Sequence, residues 1–195
     1  MRLSSPIASG LDYVTSTPHA REAFWPTHAD PDAVYEAVFE EDFSSLEPQV
    51  ALPHGFEIVK PVSEVEGIEI NQCNLGSCAN SRYEDLAIAA RIVKGKKLRA
   101  RMIFSPGTWK IYRQALKTGL LETLIDAGVM VMAPTCLPCD GRGACIANGE
   151  VAVGTTTRNF RGRYGSPNSE IYLASPATAA ASAVMGRITD PRKML

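Results

Sequence analysis

Strand and helix signals alternate from residue 67 to the C-terminus, and this predicts an α/β fold: a three-layer α/β/α domain built on a largely parallel sheet. Two further observations support that class. Short apolar runs of strand length end in loops rich in Gly, Ser and Pro, and the helical stretches between them are long enough to serve as crossovers. A chain of 195 residues suits one domain with an extended arm, and buries roughly 70% of the surface that the unfolded chain exposes.

Residues 1–66 form the expected arm, marked by Pro6, Pro18, Pro26, Pro31, Pro48, Pro53 and Pro61. It offers one short helix, from Asp30 to about Phe39, with Asp30 as N-cap and Pro31 at the first helical position. Between Ala29 and Pro48 the arm carries Asp30, Asp32, Glu36, Glu40, Glu41, Asp42 and Glu47 and no Lys or Arg, which suits a solvated arm or a docking surface.

Residues 67–195 make the α/β/α domain. A strand is predicted over 68–75. A helix follows over 83–93, with Leu86, Ala89, Ala90 and Val93 on one face. Next come a strand over 101–104, helices over 109–117 and 120–126, and a buried strand over 129–133. Further strands fall at 151–155 and 171–173. The last helix, 176–185, is entered through Ser175 as N-cap and Pro176 at N1.

The bulk properties exclude several function classes. A net charge of -1 gives no general pull toward nucleic acid or an anionic membrane, so neither is an expected partner. No apolar run reaches the roughly 20 residues that span a bilayer. The start, Met1 to Pro6, has one basic residue and no apolar stretch behind it, unlike a secretory signal. Five cysteines, an odd number with three inside ten residues, do not suit a disulfide framework; reduced thiols free to bind metal, in the cytoplasm, fit better.

Functional groups in parallel sheets collect where strands end at their carboxyl edge. Three segments have that form: Leu75 to Asn80, Ser105 to Thr108, and Ala133 to Cys139. Two of them carry cysteine. Cys136 and Cys139 are a C-x-x-C pair on a loop held by Pro134 and Pro138, and Cys78 is expected at the same edge. Ser81 followed by Glu84 has capping-box spacing, which puts Cys78 just ahead of a helix N-terminus whose free N–H groups favour a thiolate or an anionic cluster. Three thiolates on a cubane leave one iron open as a Lewis acid. From the cysteines alone, an iron–sulfur site, a zinc site and a redox pair all stay open. Cys73 and Cys145 fit the role of small buried hydrophobes.

The neighbouring residues carry a resemblance. Gly76-Ser77-Cys78-Ala79-Asn80-Ser81-Arg82-Tyr83-Glu84-Asp85-Leu86 resembles the Gly-Ser-Cys-Thr-Asn…Glu-Asp-Leu motif of the aconitase superfamily, and Cys136-Leu137-Pro138-Cys139-Asp140-Gly141 is similar to its Cys-x-x-Cys-x-Gly motif. Thr157-Arg158-Asn159-Phe160-Arg161-Gly162-Arg163 resembles the Asn-Arg-Asn-Phe-x-Gly-Arg stretch, and Ala174 to Ala180 its Ser-Pro helix close. The motifs stand in family order, and the spacing is nearer to isopropylmalate or homoaconitate enzymes than to mitochondrial-type aconitase. The resemblance implies a [4Fe–4S] cluster held by Cys78, Cys136 and Cys139, with Arg158 and Arg163 gripping the carboxylates of a 2-hydroxy di- or tricarboxylic acid. The implied reaction is a hydro-lyase isomerisation by dehydration and rehydration.

It covers only the last third or so of a large subunit. The acid and base groups, the preceding domains and the small (swivel) subunit are therefore expected as partners, with a non-catalytic iron–sulfur or zinc-binding remnant as the alternative. Ala79 stands where the family has Thr, and Thr157 where it has Asn. His19, His28 and His54 all lie in the arm and match no catalytic motif, so exposed or capping roles are expected for them.

Overall fold

The computed structural model describes residues 29–195. The chain divides into two compact units, one up to Phe43 and one from Ser44 to Leu195. In the first unit the helix expected from Asp30 to about Phe39 does not form; there is only a turn, closed by Ala33 N donating to Asp30 O at 3.0 Å. The physical reason is lack of burial. Val34, Tyr35, Val38 and Phe39 are all largely exposed, and an isolated helix of this length is marginal in water when no apolar face packs. The readings placed on residues 1–28, including His19, His28 and the first three prolines, lie outside the described residues.

The second unit is built on a mixed seven-stranded sheet. Its strands are β1 (Gln49–Ala51), β2 (Val59–Pro61), β3 (Gln72–Leu75), β4 (Arg101–Phe104), β5 (Met130–Val131), β6 (Val151–Gly154) and β7 (Glu170–Ala174). The spatial order is β2-β1-β7-β6-β3-β4-β5. The run from β7 to β5 is parallel, while β1 lies antiparallel to both β7 and β2.

The helices are α1 (Val62–Val65), α2 (Tyr83–Val93), α3 (Trp109–Lys117), α4 (Leu120–Ala127), α5 (Leu137–Asp140) and α6 (Pro176–Met185). The mostly parallel sheet and its crossover helices agree with the predicted α/β class. Residues 49–65, which the sequence assigned to the arm, supply two strands and α1 to the sheet. Pro48, Pro53 and Pro61 hid them, because proline reads as a strand breaker; Pro48 and Pro53 lie just outside β1, and Pro61 ends the edge strand β2.

Side-chain alternation explains the layers. Cys73 and Leu75 of β3, Val153 of β6 and Tyr172 of β7 point into the main core with Leu86, Ala89, Ile92 and Val93 of α2 and Ala179, Ala180 and Ala183 of α6. Helix α2 packs against α6 and α4. Ser175 Oγ accepts from Thr178 N at 3.2 Å and caps α6 as predicted. On the opposite face, Ala152, Ile171 and Tyr164 close a smaller core with Ile146. There Gln72 Nε2 donates to Ala144 O at 2.8 Å and Asn74 Nδ2 to Pro138 O at 3.3 Å, which docks the segment containing α5 onto the sheet.

Two predicted strands are shorter than expected. Of residues 68–75 only 72–75 pair in the parallel ladder; Gly67, Ile68 and Ile70 instead bond the return segment 186–188, with Ile70 N on Gly186 O at 3.0 Å and Ile188 N on Ile68 O at 2.8 Å. The strand expected over 129–133 is an edge of two residues. Asp190 begins a closing 3-10 turn at Pro191–Lys193, its carboxylate accepting from Arg192 N at 2.9 Å.

Candidate metal centre

The strand order sets where a site can be. The chain runs from β3 outward to β4 and β5, then returns to β6 on the other side of β3. Loops leaving β3 and β6 therefore diverge, which opens a crevice at the carboxyl edge. The loop after β3 carries Cys78, that after β5 carries Cys136 and Cys139, and that after β6 carries Thr157 and Arg158.

Cys78 Sγ lies 3.3 Å from Cys136 Sγ although 58 residues separate them in sequence. Three devices hold the Cys78 loop. Gly76 takes a left-handed conformation (φ +73°), where a Cβ would come within 2.5 Å of Ser105 O and of Ser81 Oγ. Gly76 N donates to Thr155 Oγ1 at 2.7 Å, and Asn80 Nδ2 to Thr155 O at 2.8 Å, tying the loop to the end of β6. Ser81 Oγ donates to Ser105 O at 2.9 Å. Ser81 is thus not the cap of α2. Arg82 holds that position, and its backbone N–H donates to Asp85 Oδ2 at 2.9 Å; the Ser81 hydroxyl is turned instead toward the Ser105 carbonyl just past β4.

The C-x-x-C pair sits on one helical turn. Cys139 N donates to Cys136 O at 2.9 Å, and residues three apart on a helix share a face. Gly141, left-handed at φ +80°, ends this turn where a Cβ would lie 2.7 Å from Tyr164 Cα. Ser105 is fully buried, and its hydroxyl accepts from Thr135 N (3.2 Å) while facing Thr135 O (3.0 Å) and Ala133 O (3.2 Å). Through its hydroxyl and its carbonyl, Ser105 joins the two cysteine-bearing loops.

The thiols differ in environment. The hydrogen bond to Cys78, then burial and the neighbouring sulfurs, push the Cys136 thiol up to about 11. Burial pushes Cys139 up, yet the donated bond from Arg163 and contacts with Thr157 outweigh it, and its thiol lies below the ordinary value. Arg163 Nη2 donates to Cys139 Sγ at 3.2 Å, and Thr157 Oγ1 stands 3.8 Å from the same sulfur. Cys73 is inert in the core, its thiol pushed up to about 12 by burial. Cys145, by contrast, is exposed, and its thiol donates to Gly141 O instead of packing as a hydrophobe.

The predicted arginines lie beside this edge. Arg158 is exposed, donates to Thr157 O at 2.7 Å and stacks over the Phe56 ring at 5.7 Å. Arg163 stacks over Phe160 at 5.3 Å, and its Nε is buried without a hydrogen-bond partner. Their loop is anchored by Tyr164, fully buried with its hydroxyl 2.6 Å from Thr156 Oγ1, and by Asn159, whose Nδ2 donates to Leu52 O at 2.7 Å. His54 is neither exposed nor a cap: it is half-buried, and its Nδ1 has no partner.

Sequence reasoning missed Ser105, Thr155 and Phe56. A serine directly after an apolar strand was the available signal for Ser105; Phe56 had none, because its role depends on β1 and β2 reaching the sheet. Among the described residues no group of three or more His, Cys, Asp or Glu side chains forms a single-ion site. A cubane, however, takes one thiolate per iron. Three thiols from two loops on one rim, with Cys78 and Cys136 exposed and a cationic N–H donor on Cys139, suit an anionic cluster.

Comparison with known proteins gives the family. Residues 56–186 match the model of the aconitase family (aconitate hydratase). The chain is 51% identical over 179 residues to the 3-isopropylmalate dehydratase large subunit of Halothermothrix orenii, covering 90% of this chain and 43% of that protein. It is 48% identical over 193 residues to that of Desulfitobacterium hafniense, covering 97% and 45%. The figures for large subunit 2 of Archaeoglobus fulgidus are 50% over 175 residues, 88% and 42%. The chain therefore spans less than half the length of these relatives. With the motifs in order on one sheet edge and the matching segment spanning most of the compact unit, the chain belongs to the aconitase family.

Proposed function

We propose that this chain is the cluster-ligating component of a hydro-lyase of the 3-isopropylmalate dehydratase type, holding a [4Fe–4S] cluster through Cys78, Cys136 and Cys139. The observation that carries the reading is the approach of Cys78 and Cys136 to 3.3 Å at the carboxyl edge, beside a third thiol that accepts from Arg163. When bound, the cluster would supply an open iron as Lewis acid for a substrate hydroxyl and carboxylate. Arg158 and Arg163 would grip the carboxylates of a 2-hydroxy di- or tricarboxylic acid, for which a planar, permanently charged guanidinium is suited. Acid and base groups for dehydration and rehydration would come from partner domains and a small subunit, so the chain alone would not turn over. Free thiols at the rim suit the reducing cytoplasm; among the described residues no helix is long and apolar enough to cross a membrane.

The test is anaerobic reconstitution with iron and sulfide, read by visible absorption and metal analysis. The parent chain should take up a cluster, Cys78→Ala should not retain it, and Cys145→Ala should. A colourless protein with stoichiometric zinc and no sulfide would end the iron–sulfur reading. Turnover of 3-isopropylmalate should then require the remaining domains of a large subunit and a small subunit. A cluster-loaded protein that stays inactive with both present would instead be a non-catalytic cluster-binding domain.

A further inference from the structure

We infer that Phe56, in the turn between β1 and β2, is a positioning residue that orients Arg158 for an anionic substrate. The inference rests on the proposed role of Arg158 as a carboxylate clamp. The turn is well defined: Leu52 N donates to Ile58 O at 2.8 Å, and Asn159 Nδ2, from the arginine loop, donates to Leu52 O at 2.7 Å. The same asparagine donates to Ile171 O at 3.2 Å, so the turn and the arginine loop are fastened to one another and to β7.

Across this junction the Arg158 guanidinium carbon lies 5.7 Å from the centroid of the Phe56 ring, within cation–π range. Phe56 is 58% exposed and Arg158 is exposed as well, so the ring adds little to the core. Its contact is with the cation. Stacking occupies the face of a guanidinium and leaves the N–H groups at its edge for a carboxylate. Arg158 Nη1 is already committed to Thr157 O at 2.7 Å. A backbone carbonyl on one side and a ring beneath thus restrict a long side chain that would otherwise lose much rotamer entropy on binding. Phe160 makes the parallel arrangement with Arg163 at 5.3 Å, so each of the two arginines rests on its own ring.

The experiment uses the full chain with 3-isopropylmalate as probe, followed by calorimetry and by the side-chain Nε–H resonances of Arg158. Phe56→Leu keeps apolar bulk without a π-face, Phe56→Tyr keeps the face, and Arg158→Ala controls for the clamp itself. Thermal melts check folding. We expect Phe56→Leu to weaken binding about two- to fivefold, the worth of an exposed cation–π contact. It should also remove the ring-current shift from the Arg158 signal, while Phe56→Tyr retains both. If Arg158→Ala abolishes binding but Phe56→Leu leaves affinity and the Arg158 resonance unchanged, the inference is overturned and the clamp stands. If Arg158→Ala has no effect, or the parent chain does not bind the probe at tens of millimolar, the clamp is wrong and the inference falls with it.

Discussion

Replacing Ser105 with Ala removes one oxygen from a fully buried position and should loosen the loop that carries Cys136 and Cys139, while the Ser81 bond to the Ser105 carbonyl stays. The backbone bond from Ser105 N to Leu75 O, 3.1 Å, is untouched, so the change is confined to the hydroxyl. That hydroxyl is the acceptor for Thr135 N at 3.2 Å, and its single proton is shared between Thr135 O at 3.0 Å and Ala133 O at 3.2 Å. Its loss leaves a part-buried N–H without that acceptor and two carbonyls without that donor. An unsatisfied buried group costs about 1–3 kcal/mol. For a unit of this size that lowers Tm by roughly 2–12 °C. Urea unfolding followed by circular dichroism measures the cost directly. The midpoint should fall with an unchanged slope, because the surface exposed on unfolding is the same. The loosened Thr135-Cys136 loop should also lose a reconstituted cluster faster. A Ser105→Ala protein within about 0.5 kcal/mol of the parent, the spread of an ordinary surface substitution, would refute the idea that this hydroxyl holds the Cys136–Cys139 loop to the sheet edge.

Gly76→Ala should cost more than about 2 kcal/mol, because a left-handed L-residue alone costs roughly 1–2 kcal/mol. The new methyl would also meet the Ser105 backbone oxygen at 2.5 Å; stability equal to the parent in chemical unfolding would contradict this. Asp190 titrates below the usual carboxylate range because of its hydrogen bonds with Arg192. A lowered folded pKa means stability that is present above the unfolded value, about 4, and is lost as pH falls through the folded one. Asp190→Asn should therefore destabilise at pH 7 and narrow its gap from the parent near pH 3; thermal melts showing a constant gap would refute the assignment. Removing Cys136 should release Cys78 from its thiol partner. Faster alkylation of Cys78 in Cys136→Ala than in the parent, read by mass spectrometry, is the expected result, and an unchanged rate counts against the paired geometry.

Local chemistry was enough to read much of this protein from its residues. The amphipathic spacing of Leu86, Ala89, Ala90 and Val93 determined α2. Ser175 and Pro176 marked the start of α6, and the three strand-end segments located the edge where Cys78, Cys136 and Cys139 lie. These signals are short-range: a helix face, a cap or a strand-ending turn is written within a few residues.

What only the tertiary structure decided is long-range. The helix predicted from Asp30 failed because a cap and a proline cannot stabilise ten residues whose apolar side chains stay exposed. Strands β1 and β2 exist only because β7 and β1 offer them partners, and with them comes Phe56 beneath Arg158. Ser81 bonds the Ser105 carbonyl instead of capping α2 because β3 and β4 are neighbours, and Arg163 reaches a cysteine sulfur because the loops after β5 and β6 meet at one edge of the sheet. Residue order specifies which elements form. Which polar groups meet depends on how the sheet stacks loops from distant parts of the chain, where buried donors pair with acceptors near in space rather than with those closest in sequence.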